Sequence, residues 1–510
     1  MKTKTKYDKK AIRNSILFQI ERGYPYFNRL KRREKRSVLR ELCDATRQAM
    51  KEESLSLPSM SQSELLGLGR IPKGIMSLSD MAKFIDDQRR SVICLESPTR
   101  KKAIHDPILR FLDEMLDDRA LDFLLAPEGM TPSKRQWMPS RLLRMELLRT
   151  ARFGMWSVRK FCEYISSLAR KEERAFCRLP LHKLEMCDHS RLSTFRSSLT
   201  FEMRVNLMVY MIHHFFASGR LGKKQMHMMD STDISMPIKD APIEKLKMPD
   251  DSFIRFYGDL LSDAGARRRK RNKSNHFVGY RMHTLCVGDI ETGMAFPLLS
   301  LAISANHHDT LMLDLLAGLA QSLGLGIKVM AVDEGYLSAP KQQELRCEHG
   351  IVSVVKPSKI AVCPDHVDPK TGTVFATELC ETPMKWRGFD TDEKAHVFTC
   401  NSENSNCMWA SRCPKERLLP MDTGFFGTVP WCDPAAKRIV NARKITERPF
   451  NLMKHFDGLE PCRMRNSRTL SAQIVFSQMI GLANVMAGQR GIARKPKLKR
   501  QEVLPLAIAN

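Results

Sequence analysis

Between residues 224 and 356 the hydrophobic pattern switches back and forth between two periods, and this limits the fold more than any other feature of the chain. QMHMMDSTDISM is short, apolar and β-compatible, and reads as a strand that breaks at Asp230. HFVGYRMHTLCVGD and GMAFPLLSLAIS follow as two strands joined by a turn at Asp289–Gly293. HDTLMLDLLAGLAQSLGLG has a helical period and stops at its glycines. IKVMAVD is a buried strand ending at Asp333. SAPKQQELRCEHG is a helix with Pro340 in its first turn, and IVSVVKP is a last strand. Strands alternating with helices in this way predict one α/β domain.

The flanking segments read differently. Residues 1–56 form a basic helical arm around the run Lys31–Arg36, either a solvated face or a phosphate-contacting one. Ser54–Ser63 has linker composition. Residues 64–220 are mostly helical. Within them Ser140–Ser166 reads as helix, break and helix, with Arg159 and Lys160 early in the second. That is the outline of a helix-turn-helix, and also of an ordinary helical hairpin of a bundle, which is the commoner source of such an outline. In Cys187–Leu199, Ser190 is positioned to cap a helix displaying Arg191 and Arg196. Pro242–Asp263 is acidic and reads as irregular; the basic run Arg267, Arg268, Arg269, Lys270 follows. Residues 357–430, rich in Cys, Pro, Asp, Asn and Gly, read as an insertion. Helical pattern returns over 434–490, before a basic tail at 491–510.

Composition bounds the partners. Lys and Arg outnumber Asp and Glu by 83 to 57, a net charge of +26, which points to nucleic acid. No apolar run reads as the ~20-residue span of a bilayer, and the basic N-terminus lacks the apolar stretch of a secretory signal. The expectation is an intracellular protein without a membrane partner, whose 14 cysteines are thiols or metal ligands rather than disulfides. His396, Cys400, Cys407 and Cys413 form a loose candidate for structural Zn2+, against free thiols in an irregular insertion.

The chemistry lies in three carboxylates. Asp230 and Asp333 each follow an apolar run, so each is expected at the C-terminal end of a strand, where active sites of open α/β sheets gather. Asp233 and Glu334 are their neighbouring competitors. The third comes from RKITERPFNLMK, where helical spacing sets Arg443, Glu447, Phe450 and Lys454 on one face. Pro449 implies that this helix restarts near Thr446 or kinks. Three carboxylates form a hard oxygen site suited to Mg2+ or Mn2+, and two such ions can support in-line phosphoryl displacement.

These residues resemble the DDE transposases of bacterial insertion sequences. Asp230-Ser231-Thr232 is similar to that family's first-aspartate motif, and Val332-Asp333-Glu334-Gly335-Tyr336 to its second. Arg443, Glu447 and Lys454 fit the spacings of the branch with a Y-(2)-R-(3)-E-(6)-K signature, with Val440 standing in place of the Tyr. Gly279-Tyr280-Arg281-Met282-His283 is similar to a G-Y-K-x-H strand, Asn306–Asp309 to an N-x-H-D motif, and Ser190–Leu199 to an S-x-x-x-F-R-x-x-L segment. The resemblance spans roughly residues 140–490. It implies a ribonuclease H-like catalytic core with a mixed sheet, a helical DNA-binding region before it, and an insertion domain between the second Asp and the Glu. It implies Asp230, Asp333 and Glu447 as catalytic metal ligands for two Mg2+ or Mn2+ ions, with Arg443 and Lys454 on DNA or in ion pairs with Glu447. Asp309 is either a support to the site or a helix cap. The implied activity is cleavage at terminal inverted repeats and strand transfer into target DNA, by a homodimer on double-stranded DNA in the bacterial cytoplasm, associated with the nucleoid. A transposase-derived DNA-binding protein without catalysis, or a metal-dependent nuclease without strand transfer, are the alternatives.

Overall fold

The computed structural model describes residues 8–24, 27, 30–52, 74–90, 103–126, 137–153, 157–185, 187–219, 225–236, 242–259, 261–266, 276–289, 293–356, 362–400, 413–421, 425–426, 428–455, 459, 464 and 466–487. The Ser54–Ser63 linker, the basic run Arg267–Lys270, Cys407 and the tail at 491–510 lie outside the described residues.

The chain opens with α1 (Lys9–Gly23) and α2 (Arg32–Lys51). A helical stretch follows: α3 (Leu78–Arg90), α4 (Pro107–Met115), α5 (Asp118–Leu124), α6 (Pro139–Phe153), α7 (Val158–Ser166), α8 (Lys171–Phe176), α9 (His189–Ser198) and α10 (Phe201–Ala217). Then come β1 (Gln225–Ser235), β2 (Glu244–Lys247), β3 (Phe253–Phe256), β4 (Asp263–Ala266), β5 (His276–Asp289), β6 (Met294–Ser304), α11 (Leu311–Ser322), β7 (Val329–Val332), α12 (Ala339–His349) and β8 (Val352–Val354). Strands β9 (Lys385–Asp390), β10 (Ala395–Thr399) and β11 (Glu416–Pro420) precede α13 (Pro434–Ala442), a 3-10 turn at Arg443–Thr446, α14 (Glu447–His455) and α15 (Ser467–Met486).

The main sheet is mixed. β6, β5 and β1 are antiparallel neighbours, β7 and β8 join β1 in parallel, and β4 pairs with the near end of β5. β1 does not break at Asp230, as its sequence suggests. It pairs with β7 only over His227–Met229, but stays on β5 to the pair Ser235↔Gly279. The antiparallel partner carries the strand past the point where β7 turns away. Gly279 permits this closure, since a Cβ there would stand 2.1 Å from the Ile234 carbonyl oxygen.

The helices and the sheet share one hydrophobic core, and α15 is its axis. By length and composition α15 could cross a membrane, which the sequence reading overlooked, but most of it is buried inside the protein. It packs on α6, α9, α10 and β6. Two of its buried amides tie it to its neighbours: Gln473 accepts from Arg149 and donates to Thr150, and Gln478 donates to the Leu298 carbonyl on β6. α6 is buried around almost its whole circumference. It is a core helix, whereas α7 after it keeps Arg159 and Lys160 exposed.

The acidic segment read as irregular is an antiparallel hairpin, β2–β3. It packs through Ile243, Leu246, Met248, Ile254 and Phe256 on the apolar faces of α1 and α2. Charge joins the same partners: Arg36 and Arg40 reach Glu244, Lys9 reaches Asp250, and Arg13 pairs with Asp263. The basic N-terminal helices are thus docked against an acidic partner more than 190 residues away in sequence. Residues 362–431 hold the three-stranded sheet β9–β10–β11 with its own core around Phe398, Phe425, Phe426 and Trp431.

Candidate active site

Parallel pairing puts the two aspartates side by side. Met229↔Val332 is the last matched pair of β1 and β7, and Asp230 and Asp333 come next on neighbouring strands. Strands so paired lie ~4.8 Å apart, so two like charges meet at this edge. Arg443, in the 3-10 turn, spans them. Its guanidinium donates to Asp230 Oδ2 at 2.8 Å and stands 3.2 Å from Asp333 Oδ1. The Thr446 hydroxyl is 3.1 Å from the same Asp230 oxygen, and the Ser231 N–H donates to Asp230 Oδ1 at 2.8 Å. Burial pushes the Asp230 carboxyl pKa upward, and the negative Asp333 adds to this; Arg443 opposes both. The side chains of Asp230, Arg443 and Asp333 are 16%, 23% and 40% exposed, so the cluster opens to solvent on the Asp333 side.

Glu447 does not join this pair. It is exposed and begins α14. The reason is local. Arg443–Thr446 is a 3-10 turn, which advances ~120° per residue against ~100° in an α-helix, so four steps place Glu447 about 80° further round than helical spacing expects. The helix restarts at Glu447 with Pro449 in its first turn, where the missing N–H costs no hydrogen bond. Thr446 turns its hydroxyl to Asp230 rather than capping. Lys454, half-buried on α14, stands near the helix's far end from Arg443. Among the described residues, no group of three or more His, Cys, Asp and Glu side chains is close enough to hold a metal ion.

The opposite face of β1 carries a second cluster that the sequence reading only half saw. Ser231 and Asp233 point there, by the alternation of a strand. Arg281 on β5 pairs with Asp309 at 3.0 Å and Asp233 at 3.4 Å. Asp309 is not a helix cap; its carboxylate faces Arg281, and Ser231 Oγ lies 3.4 Å from its other oxygen. A Cβ at Gly335 would stand 2.7 Å from Asp309 Oδ2, so glycine lets this carboxylate reach the turn after Asp333. His283 and Tyr336 share a buried hydrogen bond of 2.6 Å. Burial pushes the His283 pKa down to about 3 and the Tyr336 pKa well above its usual value, so both are neutral. The motif residues Ser231, Arg281, His283, Asp309, Gly335 and Tyr336 thus meet on this side of β1, opposite Asp230. Their signal in the sequence was the motif each belongs to, since Arg281 and His283 lie inside β5 and not at its end.

Other candidates are dispersed. Arg159 and Lys160 are exposed at the start of α7, whose first turn is capped by Ser157. Arg196 is buried, with its Nε 3.6 Å from Glu146 in the helical core. Asp188, not Ser190, caps α9. His396 is fully buried among Phe389, Phe426 and Trp386, with ring centroids 5.3 to 6.3 Å away. Cys400 and Cys413 are half-buried near the same sheet, so the described members of the zinc candidate do not gather into a site.

No protein-family model and no curated protein matches the chain. Among solved structures, a cryo-electron-microscopy structure of the piggyBac transposase synaptic complex with hairpin DNA aligns over 78% of this chain and 79% of that chain. The identity is 12% and the TM-score 0.30, too low to carry a conclusion about either fold or chemistry.

Proposed function

We propose that this chain is a DNA transposase, a phosphoryl transferase that cleaves DNA at terminal inverted repeats and joins the ends to target DNA. The observation carrying the reading is the placement of Asp230 and Asp333 side by side where β1 and β7 stop pairing. Support comes from the order β6–β5–β1–β7–β8, three antiparallel strands followed by two parallel ones, which suits a ribonuclease H-like core. The net charge of +26 suits a polyanionic substrate.

The residues present fit a divalent cation in part. Two adjacent carboxylates, one of them desolvated, need a positive partner, and Arg443 supplies one. Their oxygens match the preference of Mg2+ or Mn2+, which Asp230 and Asp333 would hold; bound there, such an ion contributes Lewis acidity toward phosphate oxygens. The chain's own groups do the rest. Ser231 and Thr446 orient Asp230 by hydrogen bonds. The clasp of Arg281 with Asp309, pressed on Gly335, sets the turn that presents Asp333. Exposed Lys437, Arg438, Lys444 and Arg448 on the α13–α14 stretch offer cations to DNA phosphates beside the pair. Two copies holding two DNA ends, in a bacterial cytoplasm, complete the reading.

The test is strand-specific cleavage of inverted-repeat DNA with Mg2+ by the full chain. Asp230→Ala and Asp333→Ala are each expected to lower the rate at least ~100-fold, and cleavage that survives both changes sinks the proposal. Joined products separate strand transfer from plain nuclease action. The exposed Glu447 favours a second reading, a DNA-binding protein without catalysis. DNA binding with no metal-dependent cleavage, and no effect of Glu447→Gln on anything measured, would support it.

A further inference from the structure

We propose that Arg443 is a removable stand-in for the cation of the aspartate pair, and that a DNA phosphodiester draws it off. This rests on the reading of Asp230 and Asp333 as metal ligands. Three observations meet here. The guanidinium spans the carboxylates from one nitrogen to each, so it holds the position between them. It sits on a 3-10 turn, a poorer helical geometry than the α-helices on either side, and this turn stands between it and the exposed Glu447. On the same α13–α14 stretch of chain, Lys437, Arg438, Lys444 and Arg448 are exposed, so this stretch attracts phosphate.

The exchange is balanced in charge. A phosphodiester takes the guanidinium, which binds phosphate oxygens in the same forked manner as carboxylates. The aspartates are left with two uncompensated charges, and a divalent cation becomes their counter-ion. Rewinding Arg443–Thr446 from 3-10 to α-helix turns Glu447 back by about 80°, toward the face that Arg443 vacates. Metal binding and DNA binding are then coupled, and by linkage each strengthens the other. The substrate class that operates the device is a nucleic acid backbone, read by charge and not by base sequence.

The experiment is Mn2+ binding to the purified full chain, measured by electron paramagnetic resonance of the free ion, with and without a short DNA duplex. Without DNA, Arg443→Gln is expected to bind Mn2+ about tenfold more tightly than the unaltered chain. Arg443→Lys, a point charge that reaches one carboxylate at a time, is expected to fall between them. The duplex is expected to tighten Mn2+ binding to the unaltered chain and to leave Arg443→Gln almost unchanged. Glu447→Gln is expected to weaken Mn2+ binding only when the duplex is present. Equal or weaker binding by Arg443→Gln, or no response of the unaltered chain to the duplex, overturns the exchange. Adding Asp230→Asn to Arg443→Gln tests the reading beneath it: if tight binding survives that change, the pair is not the metal site. A Glu447→Gln effect that is the same with and without DNA overturns the rewinding step.

Discussion

Two arginines in this molecule each hold two aspartates, and they do opposite things. Arg144, in the helical layer, bonds Asp113 at 2.8 Å and Asp118 at 2.6 Å, and donates to the carbonyls of Leu116 and Phe176. It is fully buried, and Arg178 closes the ring by pairing with both aspartates. Arg178 accepts a left-handed φ of 57° to do so, a strain on the order of 1 kcal/mol. Arg443 makes the same kind of bridge between Asp230 and Asp333, but from a 3-10 turn, partly exposed, and without carbonyl acceptors among the described residues. A guanidinium whose donors are spent on several elements in a dry site cannot leave without stranding buried charge. One held only by two carboxylates at a solvent edge can be exchanged for another cation. The difference in role follows from burial and donor count, not from residue type.

Breaking the buried ring should therefore cost far more than breaking the exposed bridge. Asp113→Ala is expected to lower unfolding free energy by roughly 3–5 kcal/mol, because it leaves Arg144 buried and short of a partner. Urea denaturation measures this, and a loss below ~1 kcal/mol would erase the contrast. Tyr336→Phe is expected to cost about 1–3 kcal/mol, since it strips His283 of its buried hydrogen bond beside the exposed cluster. That result would show rigid packing behind a labile bridge.

The pH dependence of Asp118 sharpens the comparison further. Burial raises its pKa, but Arg144 and Arg178 outweigh burial and hold it below 3.8. The folded value is depressed, so its stabilisation is fully present above the unfolded pKa and fades as pH falls below 3.8 through the folded value. Asp118→Asn is expected to be less stable than the unaltered chain by ~1–2 kcal/mol at pH 7, a figure reduced for partial exposure, with the gap narrowing below about pH 3.8. A gap that is constant with pH would deny Asp118 its ionic role. The smallest effect is expected at the bridge: Arg443→Gln should change stability by less than ~1 kcal/mol, as for other partly exposed ion pairs. A larger loss in the same denaturation series would make Arg443 a structural clamp like Arg144.

Much of the site was readable because its signals are local. Asp230 and Asp333 each end an apolar run, and an apolar run of that length is a buried strand. Gly279 and Gly335 stood in recognisable motifs, and the close approaches at both explain why no side chain fits. What was misread depended on partners distant in the chain. The hairpin β2–β3 looked irregular because Glu244, Asp250 and Asp251 hide its alternation, and its apolar face is completed by α1 and α2. α6 carries Arg144, Glu146 and Arg149, and its sequence does not show that all three are buried and paired. Asp309 looked like a cap until Arg281 drew it across the sheet.

By itself the sequence determined the long strands and helices of the 224–356 region and which two carboxylates follow their apolar runs, but not the β2–β3 hairpin. Those follow from apolar periodicity over a few residues. Only the tertiary structure decided which arginine is locked and which is exchangeable, and where Glu447 points. The 3-10 turn before Glu447 is held by the Thr446 hydroxyl and by Arg443 on Asp230, more than two hundred residues away in sequence, and on Asp333.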